Sequence, residues 1–171
     1  MKGAVIWFTG LPCSGKTTIA RELMKILEEY RDVELLDGDT VRDYIKNTDF
    51  SKEGRKKHLR YIALMAKLLE ERGVIVLCSF VSPYKENREF ARSICKNFIE
   101  VYVKAPLKVC IQRDVKGMYK KALNGEIKNF TGIDDPYEEP ENPEVIVETD
   151  KESIEECVKK VMNKIKELGY I

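Results

Sequence analysis

Gly10-Leu11-Pro12-Cys13-Ser14-Gly15-Lys16-Thr17 fits the pattern G-x-x-x-x-G-K-[ST], and Thr18 extends its hydroxyl end. These residue types suit a polyphosphate. A glycine-bearing turn can aim several consecutive backbone N–H groups at one phosphate, and Gly10 and Gly15 supply the necessary backbone freedom. Lys16 places an ammonium near the outer phosphates, a following helix N-terminus adds partial positive charge, and the Thr17 hydroxyl is a ligand for Mg²⁺. Cys13 reads either as a small side chain that fits the turn or as a thiol acidified by the helix N-terminus.

Asp37-Gly38-Asp39 is the second chemical group. Transfer of a phosphoryl group to a hydroxyl needs a carboxylate to orient that hydroxyl and take its proton, and Asp39 is the candidate. Either aspartate also suits a turn or a helix cap. No Asn/Thr-Lys-x-Asp run is present, which argues against guanine recognition. The apolar run Val74 to Cys78 leads into Ser79-Phe80 rather than into an acid, unlike the pattern of many motor-type ATPases.

The elements that must hold these groups alternate. Ala4 to Thr9 is a continuous apolar run of the kind buried on both faces of a parallel sheet. Ile19, Leu23, Ile26 and Leu27 recur at helical spacing, and a second strand, Val33 to Leu36, runs into Asp37. A longer helix spans about 52–72, with Leu59, Ile62, Ala63, Ala66 and Leu69 on one face and Gly73 at its C-cap. A strand at 74–78, a helix from Pro83 to about Lys96, a strand at 98–103 and a short helix from Pro106 to Arg113 follow. Residues 114–143, punctuated by glycine and proline, show no sustained apolar face and read as an irregular stretch, either a lid or a disordered segment. A strand at 145–147 and an amphipathic helix at 151–168 end the pattern. The expectation is one α/β domain over residues 1–171, a parallel sheet of mainly five strands between two helical layers, with ligands at the strand C-termini.

Composition narrows the classes. Thirty basic against twenty-nine acidic side chains give a net charge of +1, so no broad basic surface points to nucleic acid or an anionic membrane. No apolar run approaches the roughly 18 residues of a membrane span, and Ala4 to Thr9 is too short for a signal-peptide core. Five dispersed cysteines without a Cys-x-x-Cys pair suit reduced thiols in a cytoplasm.

Taken in order, several blocks resemble the adenylylsulfate kinases, a family of P-loop kinases that phosphorylate adenosine 5′-phosphosulfate (APS). They are Gly10 to Thr18, Leu36-Asp37-Gly38-Asp39 with Arg42, and Phe50-Ser51 with Arg55. Ser82-Pro83-Tyr84 with Arg88, Arg113 to Gly117, and Phe130 to Glu138 complete the series. The resemblance spans nearly the whole chain and implies a three-layer P-loop fold, ATP and Mg²⁺ as cofactors, APS as acceptor and a homodimer. It implies that Asp37 lines the acceptor site and that Arg42 and Arg55 hold the phosphosulfate, for which guanidinium forks are suited. Phe50 and Phe130 would sandwich the substrate adenine. Ser82 would stand at the acceptor end of the site, as a catalytic group or as a helix N-cap before Pro83. Residues 113–132 would close over both substrates, Arg113 against the ATP adenine and Lys116 and Lys128 toward phosphate oxygens or APS. Two positions depart from the family: His58 stands for a usual asparagine, and Gly54 for a common acid. His58 is open to a hydrogen bond with substrate or to simple packing.

Overall fold

The computed structural model describes all residues, Met1–Ile171. Its centre is β1 (Ala4–Thr9), every residue of which is buried. The strand pairs in parallel with β3 (Ile75–Ser79) on one side and β4 (Phe98–Lys104) on the other. β2 (Val33–Asp37) pairs with β3, and β5 (Val145–Glu148) pairs with β4, giving the all-parallel order β2-β3-β1-β4-β5. β1 is apolar on both faces because helices cover both.

Alternate residues of β1 face different layers. Ala4, Ile6 and Phe8 pack with Ile19, Leu23 and Leu27 of α1 (Lys16–Leu27) and with Val158, Val161 and Ile165 of α7 (Ile154–Glu167). Val5 and Trp7 pack with Leu59, Ile62 and Ala66 of α3 (Lys52–Glu71) and Ala91 of α4 (Lys85–Ile94). Truncating such a fully buried residue, for example Ile6 or Leu77, costs about 2–5 kcal/mol. No helix is long and apolar enough to cross a membrane.

The structure corrects the sequence-based outline in three places. A short helix, α2 (Gly38–Ile45), follows β2 directly and is capped by Asp37. Only Val41 of that helix is buried, so it has almost no apolar periodicity to betray it. Another helix, α6 (Met118–Leu123), interrupts the segment expected to be irregular; it follows α5 (Leu107–Arg113) and buries only Tyr119 and Ala122. The helix expected to open at Pro83 instead begins at Lys85, with Tyr84 at its N-cap position. Ser82 has a left-handed φ of 42°, which turns the chain before the helix can start. Ser82 is therefore not a helix N-cap.

Candidate active site

The phosphate loop connects β1 to α1 at the C-terminal edge of the sheet. Gly10 passes so close to β4 that a Cβ would lie 2.4 Å from the Val103 carbonyl oxygen. Gly15 holds φ at 106° just before α1, a conformation that costs other residues dearly. Ser14 is buried beneath this turn, Leu11, Pro12 and Cys13 are half-buried, and Thr18 is exposed. Lys16 is buried and curls over the loop, donating to the carbonyls of Gly10 at 2.9 Å and Leu11 at 2.8 Å. Burial pulls its ammonium down to about 8. A desolvated cation with only neutral oxygen partners favours an anion beside it. Thr17 Oγ1 lies 3.0 Å from Ser79 Oγ, which ends β3 and sits in register with Asp37 at the end of β2.

Later segments of the chain hold the loop from outside. Arg113 donates to the carbonyls of Cys13 at 3.1 Å and Ser14 at 3.3 Å, and to Thr149 Oγ1 and O at 3.1 and 3.0 Å. Thr149 Oγ1 donates in turn to the Ser14 carbonyl at 2.6 Å. The Tyr119 hydroxyl donates to the Pro12 carbonyl at 2.7 Å. Asp114 fixes the start of α6 by accepting from the backbone N–H groups of Tyr119 and Lys120.

The other half of the cleft is cationic. Arg55 donates to Asp135 Oδ2 at 2.8 Å, to the Tyr84 hydroxyl at 2.9 Å and to Thr131 Oγ1 at 3.3 Å. Burial and the bond to Asp135 push the Tyr84 phenol up to about 12, so Tyr84 stays a neutral donor to Asp135 at 2.6 Å. Burial, then the positive charge of Arg55, lowers the pKa of the Arg42 guanidinium. Two mutually repelling guanidinium groups suit a multiply charged anion. Arg42 also stacks 4.3 Å above the ring centre of Phe50, which is 55% exposed. Asp39 is exposed and ion-paired with Lys116.

With this geometry in place, comparison with known proteins identifies the family. The sequence pattern described as adenylylsulphate kinase matches residues 2–148. This chain belongs to the adenylylsulphate kinase family. It is 52% identical to the adenylyl-sulfate kinase of Halothermothrix orenii over 99% of this chain and 93% of that protein. It is 54% identical to the adenylyl-sulfate kinase of Microcystis aeruginosa over 99% and 95%. A solved structure of the Mycobacterium tuberculosis APS kinase in complex with AMPPNP and APS superposes with a TM-score of 0.91, at 38% identity over 96% of this chain and 98% of that one.

Within the adenylylsulphate kinase fold, the residues expected from sequence divide into groups. The phosphate loop, Arg113 and Tyr119 form one cluster, and Arg42, Phe50 and His58 lie together near Arg55. Phe130 packs edge-on to Tyr119, with ring centres 5.0 Å apart, and its segment is tied by the Asp134 carboxylate to the backbone N–H groups of Asn129 and Phe130. Lys128 is exposed. Asp37 acts as the N-cap of α2, accepting from Thr40 N at 2.9 Å and Thr40 Oγ1 at 3.0 Å. Ser82 is buried; its hydroxyl accepts from Trp7 Nε1 at 3.0 Å and donates to the Phe80 carbonyl at 3.2 Å.

The two departures from the family pattern have local explanations. His58 is 3% exposed, and its Nδ1 accepts from Asn47 Nδ2 at 3.3 Å, which leaves the proton on Nε2, a buried atom without a partner. Burial, then the Arg42 charge, lowers its pKa to about 4, so the ring is neutral. A Cβ on Gly54 would lie 2.3 Å from the Asp49 carboxyl carbon, so any side chain there displaces a carboxylate that holds Ser51 N and Oγ. Sequence reasoning missed Ser79 and Thr149. Both stand at or just after strand C-termini, where ligands of a parallel sheet gather, and that position was the available signal.

Proposed function

We propose that this chain transfers the γ-phosphate of ATP to the 3′-hydroxyl of APS, giving ADP and 3′-phosphoadenosine 5′-phosphosulfate. One observation carries the proposal: a single segment, residues 113–135, is bonded to both halves of the cleft. Arg113 and Tyr119 hold the phosphate loop, while Lys116 reaches Asp39 and Thr131 and Asp135 reach Arg55. A cover that touches a triphosphate cradle and a second anion site suits a two-substrate kinase, because closure over both excludes water from the transfer.

In this assignment the loop N–H groups and Lys16 hold the ATP phosphates. Arg42 and Arg55 hold the phosphosulfate, and Phe50 and Phe130 stack on the acceptor adenine. Asp39 exchanges Lys116 for the 3′-hydroxyl, orients it and takes its proton. The 3′-oxygen forms a bond to the γ-phosphorus as the bond from that phosphorus to the β,γ-bridging oxygen breaks. Lys16, Lys116 and Lys128 offset the charge on the phosphoryl oxygens. Asp37 and Ser82 hold backbone in place rather than touch reacting atoms. The Thr17 and Ser79 hydroxyls beside the cradle fit Mg²⁺, which takes few protein ligands and keeps much of its water. When bound, Mg²⁺ supplies charge neutralisation across the phosphate oxygens.

Five free thiols support a reducing, cytoplasmic setting, and the family resemblance supports a homodimer. The reaction is tested by phosphorus NMR of APS incubated with the protein, ATP and Mg²⁺. A new phosphomonoester coupled to the ribose 3′ proton is expected; phosphate elsewhere on APS, or none, overturns the assignment.

A further inference from the structure

Three consecutive carbonyls of the phosphate loop are tied to side chains from distant parts of the chain. The Tyr119 hydroxyl donates to Pro12 O at 2.7 Å, Arg113 to Cys13 O at 3.1 Å, and the Thr149 hydroxyl to Ser14 O at 2.6 Å. Thr149 Oγ1 also accepts from Arg113 at 3.1 Å; a guanidinium can only donate, so the single hydroxyl proton of Thr149 is left for Ser14. Both hydroxyls stand on fixed supports. Thr149 follows β5 directly, and its N–H donates to Lys104 O of β4 at 3.0 Å. Tyr119 is fully buried, and its N–H donates to the Asp114 carboxylate at 2.9 Å.

The peptides of the loop are trans, so each carbonyl and the N–H of the next residue point to opposite sides. Fixing Pro12 O therefore fixes the direction of the Cys13 N–H, and fixing Ser14 O fixes that of the Gly15 N–H. Neither of these N–H groups donates to a backbone carbonyl, whereas the Ser14 N–H between them donates to Leu11 O at 3.1 Å. A turn built only for stability would pair them as well. Cys13 and Gly15 also have left-handed φ values of 64° and 106°. Glycine adopts that conformation freely, but Cys13 needs support from outside, and both peptides that flank it are held through their carbonyls. N–H groups turned outward in this way converge on an anion.

We propose that Thr149 and Tyr119 are positioning residues for the phosphoryl donor. Their hydroxyls hold the Ser14 and Pro12 carbonyls away from the cradle and so aim the Gly15 and Cys13 N–H groups at the phosphates of ATP. Donors fixed beforehand need no reorientation when the polyphosphate arrives, which favours both binding and transfer. The inference rests on the ATP half of the function proposed above and is independent of the acceptor.

The test isolates the cradle with a ligand that has no base: inorganic tripolyphosphate, titrated into the full chain and followed at the Gly15 amide by proton–nitrogen NMR. Thr149→Val keeps a methyl group beside Gly15 and removes the hydroxyl. It should weaken tripolyphosphate binding and raise KM for ATP about five- to tenfold, the loss of one hydrogen bond, with KM for APS within about twofold of the wild type. Thr149→Ser restores the hydroxyl and should restore both values. Tyr119→Phe keeps the ring against Phe130 and should shift the same two values in the same direction. Wild-type affinity in Thr149→Val and Tyr119→Phe, an equal loss in Thr149→Ser, or equal changes in the two KM values overturns the positioning role. A wild-type Gly15 amide that responds to neither tripolyphosphate nor ATP overturns the nucleotide reading along with it. Phosphate transferred to an acceptor other than APS overturns only the acceptor, and the tripolyphosphate result then still decides the role of the two hydroxyls.

Discussion

Lys116 in the segment after α5 donates to Asp39 Oδ2 at the start of α2, joining residues 77 positions apart. Both side chains are more than half exposed, so the pair contributes at most about 1 kcal/mol to stability. Its consequence lies in the position of the carboxylate. Asp39→Asn should lower kcat by about 10²–10⁴, the range for a lost proton-transfer group, with ATP affinity unchanged. Lys116→Ala should lower kcat with little change in melting temperature. Steady-state kinetics with calorimetric titration of an ATP analogue checks both, and an Asp39→Asn enzyme of normal kcat removes Asp39 from the chemistry.

Arg55, proposed to hold the acceptor, is bonded to Asp135, Tyr84 and Thr131. Lysine keeps the charge but cannot reproduce a planar fork. Arg55→Lys should therefore raise KM for APS about 10–100-fold, the cost of roughly 1.4–2.7 kcal/mol of lost contact, with KM for ATP nearly constant. Equal changes in the two KM values would contradict a role confined to the acceptor.

Ser82 offers a test of structural against catalytic work. Its hydroxyl accepts from the buried Trp7 indole, and Ser82→Ala leaves that N–H without a partner. The expected cost is about 1–3 kcal/mol in denaturant unfolding. Turnover of the folded variant should stay within a few-fold of the wild type, far short of the ~10² minimum for a lost acid or base. A large drop in kcat with unchanged stability would reverse the assignment.

His58 sets a pH dependence of stability. Its folded pKa, about 4, lies below the ordinary 6.5, so the unfolded chain binds more protons between those values. Stability should therefore rise with pH from about 4 to 6.5 and level off above, by at most about 3 kcal/mol for this group. His58→Asn should flatten that portion of the curve in urea melts taken across the range. An unchanged slope would mean that other groups produce it.

Much of the fold was legible because periodicity carries it. The unbroken apolar run of β1 announced a central parallel strand, and α1, α3 and α7 each repeat buried residues every three or four positions. α2 and α6 escaped because each buries one or two side chains and is set by caps, Asp37 for one and Asp114 for the other. In the site, the phosphate loop was legible from residue type alone, since few other purposes require glycines and a lysine at that spacing. Arg42 and Arg55 came from resemblance, and the structure adds that the charge of Arg55 acts on the Arg42 guanidinium. Thr149 was signalled only by its place just after a strand C-terminus, because its contact with Ser14 spans 135 positions and no local pattern encodes it.

A competition for one labelled phosphate decides which hydroxyl this kinase phosphorylates. The protein is given γ-labelled ATP and Mg²⁺ with APS, AMP, gluconate and shikimate present together, and the labelled product is identified. Label on APS alone is expected, with its loss in Asp39→Asn. Label on gluconate, shikimate or AMP in preference to APS would contradict it.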